Sequence, residues 1–473
     1  MAKLTPARRV ALALVSQRRR HQGRIRDIAR DDAGMEALSP ADKALAFRLA
    51  LGSTAAQSVL DELVDARLKR PRSVEPRVRD ALVISTYELC YLETPISAAV
   101  SQGVELVRSV SPRASGLANA VLRRVAQEDR PKVAHARKNL RNGAAGLQDL
   151  RLASGLPAWL VNAVREQRGS DYVRSLCLAQ LDPPPVCVAA NGRRHDVTAF
   201  VQLMQGHGMD PHPVRALDGT FVLGTTSQSA LSKMLEEGDL AVADPSAQLV
   251  CRIAAPASAG CELLEVGQGR GTKSLLLATS HGACHPRHIS GIDSVAYKVD
   301  VSRRRMQAAG LADIVSCHLL DGLLLGGGGM PDELSRSFDE VFVDAPCSGT
   351  GTMRRHPEIA PSLGGQDVED LARLQLALLK AASARVRRGG ALIYSTCSVL
   401  RDEDEAIVEA FLESDEGKAF ETRPVVQAPA CMDNDELRSV VEASQTLDGY
   451  LLTKPQVGGG DGHFCARLVR VGQ

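Results

Sequence analysis

Two cysteines stand where short apolar runs end in the second half of the chain. Cys347 follows the run 340–343 within Asp-Ala-Pro-Cys-Ser-Gly, and Cys397 follows the run 391–395 within Ser-Thr-Cys-Ser. One cysteine at a strand end is usually just a small buried residue. Two on neighbouring strands of an open α/β sheet would meet at the carboxyl edge, where such sheets bind ligands. Because a thiolate is a strong nucleophile once its pKa is lowered, this edge is a candidate site of covalent catalysis.

A thiol at such a site suits methylation of a cytosine ring at carbon 5. That carbon is a poor nucleophile towards a methyl donor, but thiolate addition at carbon 6 turns the ring into an enamine-like species that can attack a sulfonium methyl. A base then removes the carbon 5 proton, and the thiol is eliminated. Such a reaction also needs a bound methyl donor, so the chain should contain a cofactor site near the two cysteines.

A glycine-rich turn supplies a candidate cofactor site. It follows the apolar run 262–266, opens a predicted helix, and consists of Gly267, Gln268, Gly269, Arg270, Gly271, Thr272 and Lys273. Glycines let backbone approach a ligand, and a helix N-terminus favours electronegative groups, but the spacing is not that of a P-loop. Asp293 ends the next predicted strand, where an acid accepts hydrogen bonds from a ribose, and Asp321 follows the third. These features alone leave a dinucleotide, S-adenosylmethionine or no ligand open.

The elements that must position these residues form three predicted regions. From about residue 241, five β-type runs alternate with helices, which predicts a mostly parallel, helix-covered sheet over 241–473. Residues 5–125 carry apolar residues at three- and four-residue spacing, with Ser39 as an N-cap before Pro40, which predicts a helical bundle within 1–130. Residues 131–240 read as a helical linker followed by a small α+β unit.

The charge is divided unevenly along the chain although the net charge is only +1. Residues 1–130 hold 22 lysines and arginines against 15 acids, whereas residues 241–473 hold 23 against 31. A basic front half joined to an acidic back half suggests a module that faces nucleic acid. The densest basic stretch, which could neutralise phosphates or simply form a solvated helix face, contains Arg18, Arg19, Arg20, Arg24, Arg26 and Arg30.

Composition bounds the remaining possibilities. The 473 residues are 44% apolar and 24% charged, which is typical of globular domains and excludes a mainly disordered chain. No apolar run approaches a membrane span, the start does not resemble a signal peptide, and no two of the 11 cysteines stand as Cys-x-x-Cys. We therefore expect a cytoplasmic, monomeric protein without a metal. The cluster His281, Cys284, His285 and His288 has the density of a metal site but lacks a second cluster nearby in sequence.

Several motifs resemble one known family. The segments DAPCSGTG, RRHPEI, YSTCS and DGHFCARL resemble the NOL1/NOP2/Sun family of RNA 5-methylcytosine methyltransferases, and residues 5–125 resemble the NusB-type RNA-binding domain. The whole chain is similar to bacterial members that methylate a cytosine of small-subunit ribosomal RNA. The resemblance implies an all-α NusB-like domain over 1–130, a linker with an α+β RNA-binding subdomain over 131–240, and a Rossmann-like class I methyltransferase domain over 241–473.

The resemblance also implies a role for each candidate residue. Cys397 is the expected nucleophile, Cys347 assists product release, and Asp344 holds the target cytosine and the donor. S-adenosylmethionine is expected on the turn 267–273 with Asp293 and Asp321. One departure is that the family turn usually reads Cys-Ala-Ala-Pro-Gly-Gly-Lys, of which this chain keeps only the first glycine, as Gly271, and the lysine, as Lys273. Three alternatives stay open: another RNA substrate such as transfer RNA, a DNA cytosine-5 methyltransferase whose nucleophile is the Pro-Cys cysteine, and a non-catalytic RNA-binding factor.

Overall fold

The computed structural model describes residues 3–21, 23–327 and 329–472, which form two compact units. The first unit comprises Met1–Pro183 together with Met353–Leu363, and the second comprises Pro184–Thr352 with Gly364–Gln473. The segment 353–363, which contains the whole motif RRHPEI, therefore packs with the helical unit although it follows a strand of the other.

The first unit is helical, as predicted for residues 5–125. Ser39 caps the fourth helix by accepting a hydrogen bond from the Asp42 N–H at 3.2 Å, with Pro40 at the first helical position. The last helix is broken at Gly169, whose φ is +86°. The helices are α1 Pro6–His21, α2 Ile25–Arg30, α3 Ala33–Glu36, α4 Pro40–Ala55, α5 Gln57–Asp65, α6 Pro76–Tyr91, α7 Ile96–Val110, α8 Ser115–Arg124, α9 Arg130–Asn142, α10 Leu147–Ser154 and α11 Ala158–Ala179.

The basic stretch of the first unit is partly structural. Arg19 pairs with the buried carboxylate of Asp80 on α6, and Arg18 donates to the Glu358 carbonyl at 3.1 Å and to the Ser362 hydroxyl at 3.0 Å. Burial lowers the pKa of Arg18. Both side chains thus contact groups within the first unit, while phosphate neutralisation by the stretch stays a prediction. Arg20 and Arg26 are exposed.

The second unit begins with a small α+β layer. Its antiparallel sheet has the strand order β2-β3-β1-β4, and its strands are β1 Val186–Ala190, β2 Pro211–Pro213, β3 Thr220–Leu223 and β4 Leu240–Val242. The sequence predicted β1 and β3 and the helices α12 Val197–Gly206 and α13 Gln228–Glu237. It missed β2 and β4, which have three residues each; β2 has proline at both ends, and this places it at the sheet edge.

The rest of the second unit is an eight-stranded sheet that contains all five predicted strands. The order is β10-β12-β9-β8-β5-β6-β7, with β11 paired to β12; the run from β9 to β7 is parallel, and β12 and β10 are antiparallel additions. The strands are β5 Glu262–Val266, β6 His288–Asp293, β7 Val315–Leu319, β8 Phe338–Asp344, β9 Val386–Thr396, β10 Phe420–Arg423, β11 Leu451–Leu452 and β12 Phe464–Arg470.

Helices cover both faces of this sheet. Alternate residues of the same strand enter different cores: Leu263 and Ile393 pack on one face, whereas Leu264 and Tyr394 pack on the other. Burial on both faces explains why successive residues are apolar in the central strands, at 263–264 in β5, 341–343 in β8 and 391–394 in β9. The helices of this part of the chain are α14 Pro245–Ile253, α15 Thr272–Thr279, α16 Ala296–Ala308, α17 Asp332–Ser335, α18 Ile359–Ser362 (within the first unit), α19 Gly365–Ser383, α20 Glu405–Glu413, α21 Pro429–Met432 and α22 Asp435–Glu442.

Candidate active site

The two predicted cysteines meet at the carboxyl edge of the large sheet. Cys347 follows β8 and Cys397 follows β9, and these strands are parallel neighbours paired as far as Asp344 and Ser395. The two sulfur atoms lie 3.3 Å apart, and the Cys397 N–H donates to the Cys347 sulfur at 3.3 Å. Parallel pairing thus brings together two thiols that are 50 residues apart in sequence.

The surroundings make the two thiols chemically different. A hydrogen bond with Cys347 lowers the pKa of Cys397 against the opposing effect of burial, and the positive charge of Lys273 lowers it further. The same hydrogen bond, together with burial, raises the pKa of Cys347 well above the ordinary thiol value. Cys397 is therefore the thiol that more readily becomes a thiolate, and Cys347 is the one that keeps its proton.

Lys273 and Asp344 form an ion pair beside the thiols. The Lys273 ammonium lies 2.6 Å from the Asp344 carboxylate. Burial alone would favour neutral lysine, but the carboxylate outweighs burial and raises the pKa of Lys273. Lys273 was predicted only as a part of the donor turn. In the structure it also acts on the candidate nucleophile, because its positive charge lowers the pKa of Cys397.

The glycine turn has the backbone geometry that its sequence predicts. Gly267, Gly269 and Gly271 have φ values of +81°, +60° and +76°, which favour glycine. The Gly269 N–H donates to one oxygen of Asp293 at 2.9 Å, and the Val295 N–H donates to the other at 2.9 Å. The buried carboxylate of Asp293 is thereby fixed at the end of β6, directly beside the turn.

The side chains of the turn differ in what they contact. The Gln268 amide is buried and donates to the Ser274 hydroxyl at 2.9 Å, and the Thr272 hydroxyl accepts from Arg305 at 3.0 Å. Arg270 is exposed, with its guanidinium 5.9 Å from the centre of the Tyr297 ring. These contacts leave the backbone of the turn as the part that can face a ligand.

Asp321 follows β7, the strand next to β6. One of its carboxylate oxygens accepts from the Leu323 N–H at 3.0 Å and so caps the short 3₁₀ helix Gly322–Gly326. Because β6 and β7 are parallel neighbours, Asp293 and Asp321 stand at the same edge of the sheet. All the predicted site residues thus lie along one edge of the second unit.

A buried acid lies under the turn. Glu265 on β5 is fully buried, accepts a hydrogen bond from Ser274, and has a pKa raised by burial to about 8. A carboxyl group in this state carries a proton at neutral pH, because the cost of burying its charge outweighs the hydrogen bond from Ser274 and the positive charge of Lys273. In the sequence, Glu265 stands two residues before the first glycine of the turn.

A second buried acid, Glu403, was missed by the sequence reasoning. It accepts hydrogen bonds from Ser348 and Ser398, the residues that follow the two cysteines. In the sequence it is one of four acids in the run 402–405, and nothing in that run distinguishes it. Only the fold shows that this acid points inward.

The other predicted cluster does not assemble into a ligand set. His285 bonds the Ser280 carbonyl at 2.9 Å, and His288 bonds the Ser316 hydroxyl at 3.0 Å. Across residues 3–21, 23–327 and 329–472, no three histidine, cysteine or acidic side chains are grouped so that they could hold a metal ion. In the same described ranges, no helix has the length and apolarity needed to cross a membrane.

Comparison with known families gives three consecutive matches. The family model described as 16S rRNA methyltransferase RsmB/F matches residues 318–469. The NusB family matches residues 5–127, and the ferredoxin-like domain of RsmF/B-like methyltransferases matches residues 156–230. The NusB match confirms the prediction for the N-terminal helices.

Curated relatives match over nearly the full length. The ribosomal RNA small subunit methyltransferase B of Pseudomonas putida is 26% identical and covers 93% of both chains. A probable enzyme of the same name from Bacillus subtilis is 26% identical and covers 99% of this chain and 100% of its own.

Solved structures share the fold. The crystal structure of PH0851 matches 99% of this chain and 100% of its own, with a TM-score of 0.75 at 16% identity. A methyltransferase homolog from Pyrococcus horikoshii matches 68% of this chain and 98% of its own, with a TM-score of 0.52 at 20% identity. The order of the three family matches, together with the relatives that span the chain, makes this protein similar along its whole length to the RsmB/F methyltransferases.

Proposed function

We propose that this methyltransferase methylates carbon 5 of a cytosine in small-subunit ribosomal RNA, with Cys397 as the nucleophile. The observation that carries the proposal is the thiol pair: Cys347 and Cys397 are 3.3 Å apart at the ends of two neighbouring strands. The pKa of Cys397 is lowered and that of Cys347 is raised, which supports Cys397 as the attacking thiol and leaves product release to Cys347.

The methyl donor of this family is S-adenosylmethionine, which confirms the expectation and removes the dinucleotide alternative. The turn fits such a group because it offers bare backbone: a Cβ on Gly269 would meet nothing closer than the Gly267 carbonyl at 3.9 Å. We assign donor contacts to the backbone of Gly267–Lys273 and to the carboxylates of Asp293, Asp321 and Asp344. When bound, the donor supplies a sulfonium methyl group next to the thiols.

The chain's own residues would act as follows. Lys273 favours the thiolate of Cys397, which adds to carbon 6 of the cytosine and makes carbon 5 nucleophilic. Asp344, oriented by its ion pair with Lys273, holds the polar edge of the ring. After methyl transfer, a base removes the carbon 5 proton, and the electron pair of that bond expels the thiolate of Cys397. The thiol of Cys347 assists this last step, as the family resemblance implies.

Small-subunit ribosomal RNA is proposed as the substrate because of the N-terminal helices and the names of the relatives. Both full-length relatives are named for ribosomal RNA of the small subunit, and the NusB-like helices carry the excess of basic residues. We retain three functional parts as a proposal: RNA-binding helices over 1–130, a linker and small α+β part over 131–240, and the methyltransferase part over 241–473. The raised pKa of Cys347 argues against the DNA-type mechanism, in which that cysteine would attack.

Bisulfite sequencing of ribosomal and transfer RNA tests the proposal. Cells that lack the gene should lose protection at one cytosine of small-subunit ribosomal RNA, and the wild-type gene, but not Cys397→Ala, should restore it. Loss of protection only in transfer RNA would overturn the choice of substrate. Unchanged protection in every RNA would overturn the proposed activity.

A further inference from the structure

The two cysteine loops share one acceptor. The residue after Cys347 is Ser348, whose N–H donates to one Glu403 oxygen at 2.7 Å and whose hydroxyl donates to the other at 2.5 Å. The residue after Cys397 is Ser398, whose hydroxyl donates to that same second oxygen at 2.6 Å. A single carboxylate therefore joins the loop that follows β8 to the loop that follows β9.

The carboxylate is itself held from the other side. Gln375 on α19 donates one amide group both to Glu403 at 3.0 Å and to the Pro346 carbonyl at 2.9 Å, immediately before Cys347. The Tyr394 hydroxyl donates to the backbone carbonyl of Glu403 at 2.6 Å. Glu403 is fully buried and accepts four hydrogen bonds with its two oxygens, so its position is over-determined.

We propose that Glu403 is a positioning residue that fixes the spacing between the thiols of Cys347 and Cys397. The proposal rests on the proposed function, since the thiols matter only if they act in one reaction. Glu403 does not touch the reacting atoms. It acts through Ser348 and Ser398, each one residue away from a thiol. An error of about 1 Å at a reacting group can cost roughly a hundredfold in rate, so a shared anchor for the two loops has a direct catalytic consequence.

The chemistry of the anchor requires a carboxylate. In Glu403→Gln, the new NH₂ group cannot accept a hydrogen bond. If it replaces the oxygen that faces the Ser348 N–H, that N–H loses its acceptor; if it replaces the other oxygen, the hydroxyls of Ser348 and Ser398 lose the acceptor they share. A buried donor without an acceptor destabilises its local arrangement, and the loop that carries it shifts. Ser398→Ala removes the bond from the second loop to Glu403 without changing any charge. It also removes the acceptor of the Leu400 N–H, and it leaves both thiols intact.

The test measures Glu403→Gln and Ser398→Ala against Glu413→Gln, which replaces an exposed glutamate at the end of α20. For both anchor variants we expect kcat to fall about a hundredfold, while KM for S-adenosylmethionine stays at the wild-type value because the donor turn is not altered. Glu413→Gln should match the wild type in both. Circular dichroism and thermal melting show which variants are folded at the assay temperature.

A second measurement does not depend on RNA or on methyl transfer. The rate at which iodoacetamide alkylates Cys397, followed by mass spectrometry of its peptide across a pH series, reports the thiolate directly. If the anchor keeps Cys347 within hydrogen-bond distance, its loss raises the pKa of Cys397, and the midpoint moves to higher pH in both anchor variants. This is the reverse of what removing the negative charge of Glu403 alone would do, because a nearby anion disfavours the thiolate.

The outcomes distinguish the positioning role of Glu403 from the proposed methyltransferase activity. A midpoint that moves up together with a loss of kcat supports positioning. A midpoint that stays in place or moves down in Glu403→Gln overturns it, as does a wild-type kcat in a folded Ser398→Ala. If the wild-type enzyme methylates no RNA, the proposed function fails, whereas the alkylation midpoints still show whether Glu403 sets the spacing of the thiols.

Discussion

The same functional group takes two forms in this site because of what surrounds it. Cys397 has a hydrogen bond with Cys347 and the ammonium of Lys273 nearby, and both lower its pKa. For Cys347 that same hydrogen bond raises the pKa, as do burial and the charge interaction with Glu403. A nucleophile and a proton-bearing partner therefore arise from two identical side chains, and the assignment can be tested at each of them.

Replacing each cysteine with alanine should give opposite results. Cys397→Ala should abolish methyl transfer, because the remaining thiol, that of Cys347, has a raised pKa and keeps its proton. Cys347→Ala should still attack but release poorly, so a covalent complex of protein and RNA should accumulate. The target base must leave its stack to reach a thiol, so an unpaired loop should react better than a duplex. Methyl transfer to ribosomal RNA transcripts, followed by a denaturing gel, measures both effects. A complex formed by Cys397→Ala but not by Cys347→Ala would reverse the assignment.

Asp293→Ala should weaken binding of S-adenosylmethionine. The carboxylate is fixed by two backbone N–H groups at the end of β6 and is available to the ribose of the donor. A hydrogen bond to a charged group contributes about 1.5–3 kcal/mol, which corresponds to an affinity loss of roughly ten- to a hundredfold. Isothermal titration calorimetry measures the affinity for S-adenosylmethionine. The control is Asp300→Ala, which replaces an exposed acid on α16. Equal affinities in the two variants would remove Asp293 from the donor site.

At the scale of elements, the segment formed by β5, the glycine turn and α15 contains a buried carboxyl group, Glu265, that is protonated at neutral pH. The pKa of Glu265 is raised to about 8, above the ordinary value of 4.5, so the folded state holds a proton that the unfolded chain releases. This contribution to stability is fully present below pH 4.5 and is lost as the pH rises towards 8. The rise in pH costs up to about 1.4 kcal/mol per pH unit within that window.

Glu265→Gln should therefore become relatively more stable as the pH rises. The neutral amide preserves the shape of the side chain and does not titrate, so the difference in melting temperature between variant and wild type should shift in favour of the variant from pH 5 to pH 8. Thermal melts at several pH values, without donor, measure this difference. A difference that is independent of pH would mean that Glu265 is ionised in the folded protein.

Elements could be predicted from the sequence where one pattern dominates. The five parallel strands contain short apolar runs, and the N-terminal helices keep one apolar period, so both were found. The strands β2 and β4 were missed because three residues are too short to show a period. The thiol pair could be predicted because strand ends share an edge, whereas Glu403 could not, because its burial depends on how the segment after Cys397 turns back onto β9. The contacts that Arg18 and Arg19 make within the first unit could not be predicted, because charge alone does not reveal which group of another element a side chain meets.

At the scale of the whole molecule, a net charge of +1 combines a basic front half with an acidic back half. RNA affinity that depends on phosphates should therefore come from the first unit, and specifically from basic side chains that are not used in holding it together. Arg19 is unsuitable for a test, because a carboxylate in its place would lie beside the buried Asp80 and unfold the bundle. Arg20 and Arg26 are exposed and lie outside the ion pairs found among the described residues.

Reversing the charge of Arg20 and Arg26 together should weaken RNA binding by the full-length protein and flatten its dependence on salt. Each phosphate contact to single-stranded RNA contributes about 0.7 to the slope of log K against log salt, so two lost contacts should reduce the slope by about 1.4. Replacing the same two residues with lysine keeps both charges and should leave the slope near the wild-type value. Fluorescence anisotropy with a ribosomal RNA fragment, measured across a salt series, gives the slopes. If the charge-reversed and lysine variants have equal slopes, these two arginines form only a solvated helix face, and the phosphate contacts lie elsewhere on the chain.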